Sequence, residues 1–326
     1  MSAEVETMVA NGAVWHGLGV QVDYDMTAEE CHKTAGLDWE VEKYPMEVRL
    51  GAGTPMQENV VVPDRHAIMR MTDHSILGTV GNRYEVIQNL DCFNFADAIV
   101  GEGQAMYHTA GSLFNGKVIF MTMKFPNDVT VGADAIEKYL LLTNAHDGSS
   151  ALHVRMTPVR VVCANTLGMA LGEDTKQKCS IRHTTNWETK ATNARELLKL
   201  TDHYFKNMSV QFNRLLDASM NDNDIELFVE SVFPRTVSEK TGELILSKQT
   251  QAIRAKVTDL AYTGKGNAAV KNTKWAALNG VSEYIDHIAT TRATGGHDPQ
   301  EIRMNSVLMG TGAEVKQRAY DILVEA

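Results

Sequence analysis

The sequence has few cysteines and does not pair them. Its four cysteines (Cys31, Cys92, Cys163 and Cys179) lie far apart in 326 residues, with no C-x-x-C spacing and no paired histidines nearby. This pattern excludes a disulfide framework and indicates free thiols in a reducing compartment. The chain also lacks the roughly 18 consecutive apolar residues of a membrane helix, and its acidic start is unlike a secretory signal. We therefore expect a cytoplasmic protein without membrane contact.

The common catalytic and nucleotide-binding motifs are also missing. The sequence contains no G-x-x-x-x-G-K-[ST] loop, no G-x-S-x-G elbow, no H-E-x-x-H and no G-x-G-x-x-G between a strand and a helix. The glycines of GEGQAM (101–106) follow a predicted helix, which is typical of a helix C-terminus. These absences argue against nucleotide hydrolysis through a P-loop, and we predict neither a catalytic residue nor a bound cofactor.

The spacing of apolar residues changes near residue 186. Before it, short stretches alternate with period two between turns, and Asn115-Gly116 is a strong hairpin signal. After it, apolar residues recur at every third or fourth position over 187–218, then at about 222–232, 239–262, 267–290 and 312–325. We expect an α+β protein, with a mainly antiparallel sheet and few helices in domain 1–186. Domain 187–326 is predicted to be all-helical and to serve oligomerisation or partner contacts.

Local signals refine this prediction for the first domain. Thr27, followed three residues later by Glu30, is the sequence of a capping box, so we expect a short helix that ends at Gly36. Alternation over 37–50, 66–71 and 76–87 predicts strands, with a turn at Gly81-Asn82. Residues 90–102 have the pattern of an amphipathic helix.

Charge is distributed unevenly along a chain of net charge −10. Residues 1–50 hold ten acidic and three basic side chains, whereas residues 151–195 hold seven basic and three acidic ones. This asymmetry permits one basic groove on an acidic body, where phosphate binding would be local and salt-sensitive. The same charges also fit a merely solvated surface.

The basic residues of this region are the candidate DNA contacts. Pro158 interrupts the strand that carries Arg155 and Arg160, and a bend there would bring both guanidinium groups to one edge. Cations along a backbone with one or two aromatic rings for the bases are what single-strand binding needs. The candidate phosphate contacts are Arg155, Arg160, Lys176, Lys178, Arg182 and Lys190, extended by Lys117 and Lys124, with Trp187 or Phe114 stacking on a base. A structural hairpin with solvated lysines explains the same pattern.

Three histidines open a second possibility. His146, His153 and His183, with Asp147 nearby, are of the types that bind divalent ions, although their spacing matches no known metal site. Cys163 lies in an apolar run, which favours a buried thiol over a nucleophile. We therefore predict no metal site, and keep a metal-dependent nuclease built on Asp147, His146 and His153 as an alternative.

Several segments resemble a widespread family of phage- and plasmid-related proteins of unknown function. The most specific is TNAHDGSSALHVRMTPVRVVCANTL (143–167), and the others are 14–22, 27–42, 81–89, 109–126, 181–186 and 272–287. The resemblance implies a mobile-element protein in the cytoplasm of a host cell, often encoded among replication and recombination genes. It supplies no enzymatic activity that can be assigned to residues.

The expected layout of sheet domain and helices is similar to that of phage single-strand annealing proteins such as the RecT and Red-beta group. That analogy implies binding and annealing of single-stranded DNA without ATP, by a homo-oligomeric ring or filament. It also implies a single-strand binding protein or an exonuclease as a partner. The other alternative is a host-takeover or anti-defence protein, whose acidic N-terminal surface would contact a bacterial protein.

Overall fold

A computed structural model divides the chain into two compact units. It describes residues 7–11, 20–22, 25–51, 58–100, 105–160, 162, 165–167, 178–189, 201–237, 242–291 and 296–325. Unit 1 groups residues 1–126, 140–155 and 178–200, and unit 2 groups residues 127–139, 156–177 and 201–326. The sequence pattern predicted one boundary after residue 186, whereas the units also place two earlier segments with the C-terminal helices.

Strands dominate the first part of the described chain and helices the last part, which confirms the α+β class. The strands are β1 (Thr7–Asn11), β2 (Val20–Val22), β3 (Val41–Leu50), β4 (Glu58–Arg70), β5 (Ile76–Val80), β6 (Met106–Leu113), β7 (Val118–Lys124), β8 (Val129–Val131), β9 (Asp134–Ala145), β10 (Leu152–Arg160), β11 (Asn165–Thr166), β12 (Lys178–Ile181), β13 (Thr236–Val237) and β14 (Leu244–Ile245). The α-helices are α1 (Ala28–Thr34), α2 (Asn89–Val100), α3 (Thr201–Asp217), α4 (Asp222–Val232), α5 (Lys248–Thr263), α6 (Lys274–Glu283), α7 (Pro299–Leu308) and α8 (Thr311–Glu325). A π-helix, Tyr284–Ile288, continues α6.

The larger sheet of unit 1 is mainly antiparallel, as predicted. Its strands follow the order β12, β10, β9, β7, β6, β1, β2, and β1 and β2 run parallel. The β6–β7 hairpin turns where Asn115 and Gly116 adopt positive φ angles of 58° and 85°, conformations that asparagine and glycine tolerate best. The predicted hairpin is therefore confirmed.

Helix α1 begins at the predicted capping box. The Thr27 side chain accepts a hydrogen bond from the Glu30 backbone N–H, and the Glu30 carboxylate accepts one from the Thr27 backbone N–H at 2.9 Å. Its buried side lies against α2, where His32 and Phe93 meet edge to face with centroids 5.1 Å apart. Two orphan donors are satisfied reciprocally, which fixes the start of the helix.

A second sheet of unit 1 has the order β3-β4-β5. Strand β3 pairs with β4 over almost its whole length, with a register shift between Pro45 and Glu47. Strand β5 pairs with β4 only near His66–Met69. The far end of β3–β4 is therefore a two-stranded ribbon in the described chain.

Unit 2 has its core around α6, most of whose residues are buried. Trp275 on α6 contacts Phe212 on α3, with ring centroids 5.0 Å apart. Asp286 in the π-helix is fully buried and pairs with Lys316 on α8 at 2.7 Å. Thr166 donates its backbone N–H and its hydroxyl to the same carboxylate, at 2.7 and 2.9 Å. These bonds compensate the two buried charges.

Some predicted elements differ from the structure. The strand predicted over 76–87 ends at Val80, and the helix predicted from 239 begins at Lys248, after the short β13–β14 hairpin. The helix predicted over 267–290 is divided into a 3₁₀ turn at Asn267–Ala269, α6 and the π-helix. Helix α7 was not predicted, and part of the predicted helix 187–218 lies outside the described residues. None of the helices in the described ranges combines the length and apolar character needed to cross a membrane.

Candidate functional site

Three segments that are distant in sequence, residues 81–88, 144–150 and 182–184, are joined by hydrogen bonds in unit 1. Residues 81–88, between β5 and α2, form neither helix nor strand and lie beside the end of β9. The Asn144 side-chain amide donates to the Ile87 carbonyl at 3.3 Å, and the Tyr84 hydroxyl donates to the Ala145 carbonyl at 3.1 Å. The Ile87 carbonyl is thus satisfied by a side chain and not by a neighbouring strand.

His146 contacts Asn89, the residue that directly follows the same segment. Its ring is fully buried, with Nε2 2.8 Å from Asn89 Oδ1. The Asn89 amide nitrogen donates to the Leu37 and Trp39 carbonyls, so its oxygen is the acceptor and His146 Nε2 carries the proton. Burial, with a smaller contribution from His183, lowers the pKa of His146 to about 3. His146 is therefore a neutral structural residue.

His183 joins residues 182–184 to residues 81–88. Its Nδ1–H donates to the Glu85 carbonyl at 3.0 Å, and the Glu85 N–H donates to the His183 carbonyl at 3.2 Å. The ring stacks on Tyr84 with centroids 4.5 Å apart and planes 9° from parallel. Burial lowers the pKa of His183 and raises that of Tyr84, which keeps the stacked pair neutral.

The turn at 146–149 is held against β5 by a close backbone approach. A Cβ on Gly78 would lie 2.5 Å from the Asp147 Cα, so only glycine fits there. Gly148 has a φ of 78°, in the left-handed region that glycine favours. The Asp147 carboxylate accepts the Ser149 backbone N–H at 2.9 Å and closes the turn. The turn therefore packs directly against β5.

These segments border an open cleft of about 830 Å³. Arg83 and Arg182 are exposed, and neither side chain has a hydrogen bond or ion pair to another described residue. Asp64 accepts a hydrogen bond from the Asn82 amide on the same rim. Two arginines against one aspartate give the lining a net positive charge. The lining residues are Asp64, Gly81, Asn82, Arg83, Tyr84, Gly148, Ser149, Ser150, Ala151, Arg182, His183 and Thr184. Such a surface suits an anionic ligand with polar edges.

Arg160, a predicted phosphate contact, is instead part of the core of unit 2. Its side chain is fully buried and pairs with Asp134 at 2.7 Å. It also donates to the Asn267 side chain at 2.9 Å and lies over the Trp275 ring, 5.7 Å from the centroid. The Trp275 indole N–H donates to the same Asp134 carboxylate at 2.8 Å. Arg160 therefore cannot reach a phosphate in this structure, and its assignment as a DNA contact is corrected.

The other predicted contacts are dispersed. Arg155 is half-buried on β10 opposite Lys178 on β12, and burial lowers its pKa. Trp187 is half-buried, and its backbone N–H donates to the Thr184 carbonyl at 2.8 Å. Phe114, Lys117 and Lys124 are half-buried in the β6–β7 hairpin, and none of them lines the cleft. Lys176 and Lys190 lie outside the described residues, as does the side chain of Lys178. Among the predicted residues whose side chains the structure describes, only Arg182 lines the cleft.

The described residues give the metal-dependent nuclease alternative no metal-binding geometry. In the described part of the chain, no three side chains of histidine, cysteine, aspartate or glutamate are arranged to hold a metal ion. Sequence reasoning missed Arg83, Asn82 and Asp64. Asn82 and Arg83 belong to the segment GNRYEVIQN, which resembles the phage- and plasmid-related family, but residues 76–87 were predicted only as a strand with a turn.

Comparison with known proteins identifies a family, but that family has no assigned activity. No curated protein and no solved structure gives a significant match to the chain. Residues 76–309 match a domain of unknown function, DUF932. The matched range includes every residue of the cleft lining except Asp64. Because the match spans well over half of the sequence, the chain belongs to the DUF932 family.

Proposed function

We propose that the protein binds single-stranded DNA in the cleft of unit 1 and anneals complementary strands without ATP, as in phage recombination. The observation that supports this most is the pair of exposed arginines, Arg83 and Arg182, on one open cleft. Guanidinium groups donate to phosphate oxygens in a fork geometry. Annealing without ATP requires no catalytic residue. It requires only a surface that binds the phosphates and leaves the base edges free.

The remaining lining adds polar contacts. The hydroxyls of Ser149, Ser150 and Thr184 and the amide of Asn82 border the arginines. The Asp64 carboxylate opposes an anion, so the cleft contributes a modest, salt-sensitive affinity. Weak, reversible contacts allow strands to realign while they search for complementarity. A homo-oligomer would multiply these contacts along a strand.

The test is fluorescence anisotropy of labelled single-stranded oligonucleotides. Arg83→Gln with Arg182→Gln removes two phosphate contacts, so the negative slope of log K against log salt should become shallower by about 1.4, at about 0.7 per contact on a single strand. Arg235→Gln changes an exposed arginine of unit 2 and should leave binding unchanged. Equal binding by the double variant and the wild type would refute the assignment of the cleft.

Annealing is measured separately with complementary oligonucleotides, without ATP and with product lengths checked on a denaturing gel. Faster annealing of intact strands, lost in the double variant, supports the proposal. Binding without acceleration would reduce it to single-strand binding. Shortened strands that depend on a divalent ion would favour the nuclease alternative. Absence of binding at low salt would refute DNA binding and favour a protein partner.

A further inference from the structure

The outer end of the β3–β4 ribbon exposes apolar residues on one face. Val48 and Leu50 on β3 are each 49% exposed, and Val60, directly opposite Val48 on β4, is 43% exposed. Side chains alternate across a strand, so these three residues share one face, while Glu47 and Arg49 lie on the other with Val61, which is 54% exposed opposite Glu47. An exposed ribbon of two strands is only marginally stable by itself.

The outer edge of β3 has no strand partner in the described ranges of the chain. Edge strands in natural proteins are usually protected by lysine, proline or a bulge. Here the register shift spans Pro45 to Glu47, and residues 46–50 (MEVRL) contain neither lysine nor proline; their two charges, Glu47 and Arg49, are of opposite sign. The stretch therefore keeps an edge that another strand can join.

The sequence of this edge is complementary to itself. In an antiparallel pair of two β3 strands centred on Val48, each Val48 faces the Val48 of the second copy. Met46 then faces Leu50, and Glu47 faces Arg49, each twice because the arrangement has two-fold symmetry. Opposite charges and apolar pairs directly across a sheet are stabilising, and like charges are destabilising.

We infer that the β3 edge is a self-association surface, on which a second copy of this chain adds its own β3 in antiparallel register about Val48. The product is a six-stranded sheet across two chains, in the order β5, β4, β3, β3, β4, β5. This contact closes on itself and gives a dimer, so a ring or filament would need a second and different contact. The inference depends on residues 46–50 and 58–60 only, and it holds with or without DNA binding.

Reversing the charge of Glu47 or of Arg49 in the whole chain tests the proposed register of the two β3 strands. Glu47→Arg places arginine opposite Arg49 twice, and Arg49→Glu places glutamate opposite Glu47 twice. Each variant alone should dimerise at least about tenfold more weakly than the wild type. An equal mixture of the two variants restores opposite charges at both positions, so it should form a heterodimer of near wild-type affinity. Sedimentation equilibrium over a wide range of concentrations measures these constants.

Glu226→Arg is the matched control. It makes the same charge change on an exposed residue of α4 and should leave dimerisation unaffected. Circular dichroism confirms that each variant is folded, which the exposed positions favour. A monomeric wild type at every concentration, or unchanged dimerisation in both single variants, would overturn the inference. So would a mixture that stays as weak as its components.

Discussion

Replacement of Arg160 by methionine separates a structural role from a DNA-binding role. The substitution keeps an unbranched side chain but removes the guanidinium group from Asp134 at 2.7 Å and from Asn267 at 2.9 Å. It also leaves the Lys265 and Gly266 carbonyls, each 3.2 Å from the guanidinium, without that donor. Since the group is fully buried, water cannot replace these bonds.

The expected loss of stability follows from these contacts. Removing one partner of a buried ion pair costs about 3–5 kcal/mol, because the remaining charge stays buried. Asp134 keeps the Trp275 indole N–H at 2.8 Å, which moderates the loss. We therefore expect Arg160→Met to lower the free energy of unfolding by about 3–5 kcal/mol. Asp134→Asn should act on the same group, so the double variant should lose less than the sum of the two.

Urea denaturation followed by circular dichroism measures these changes, and Arg235→Met gives the baseline for an exposed arginine, within about 0.5 kcal/mol. Under conditions where Arg160→Met is folded, it should bind single-stranded DNA as the wild type does. Normal stability combined with weaker DNA binding would refute the reasoning and return Arg160 to the DNA surface.

Two further predictions concern unit 1. His146 has its pKa lowered from 6.5 to about 3 by burial, so below pH 6.5 the unfolded chain takes up a proton that the folded chain does not. Stability from this group is complete above pH 6.5 and should fall by about 1.4 kcal/mol per pH unit below it. His146→Gln should reduce that slope, measured by urea denaturation between pH 7 and 5, while His183 still contributes; an unchanged slope would contradict the assignment. Asp64→Asn removes the only carboxylate of the described cleft lining, so single-strand affinity should rise severalfold in anisotropy titrations, and an unchanged affinity would remove Asp64 from the ligand's path.

Local chemistry made parts of the fold predictable. The Asn115-Gly116 turn and the Thr27 capping box are decided by residues within a few positions, and both were predicted correctly. Helix α7 carried an equally local signal, an Asp298 N-cap followed by Pro299 at the first helical position. No helix was predicted between residues 290 and 312, so this signal was not used.

The strand predicted over 76–87 was wrong after Val80 for a different reason. Its residues alternate as a strand does, but their partners come from elsewhere in unit 1. The Lys43 ammonium donates to the Asn82 and Tyr84 carbonyls at 3.1 and 2.7 Å, which satisfies backbone groups without a ladder. Alternation reports which side chains are buried, and it does not reveal which groups bond to the backbone.

The cleft was only partly predictable because its charge depends on long-range partners. Arg160 and Arg182 look alike in sequence, each on or beside a predicted strand. Arg160 is neutralised by Asp134, 26 residues away, and held by Asn267, 107 residues away. Arg182 has no such partner in the described chain and lies beside Arg83, which is brought there by the bonds of Glu85 to His183. Whether an arginine binds a ligand or stabilises a core is thus set by tertiary contacts, and a basic stretch of sequence identifies candidates for both roles.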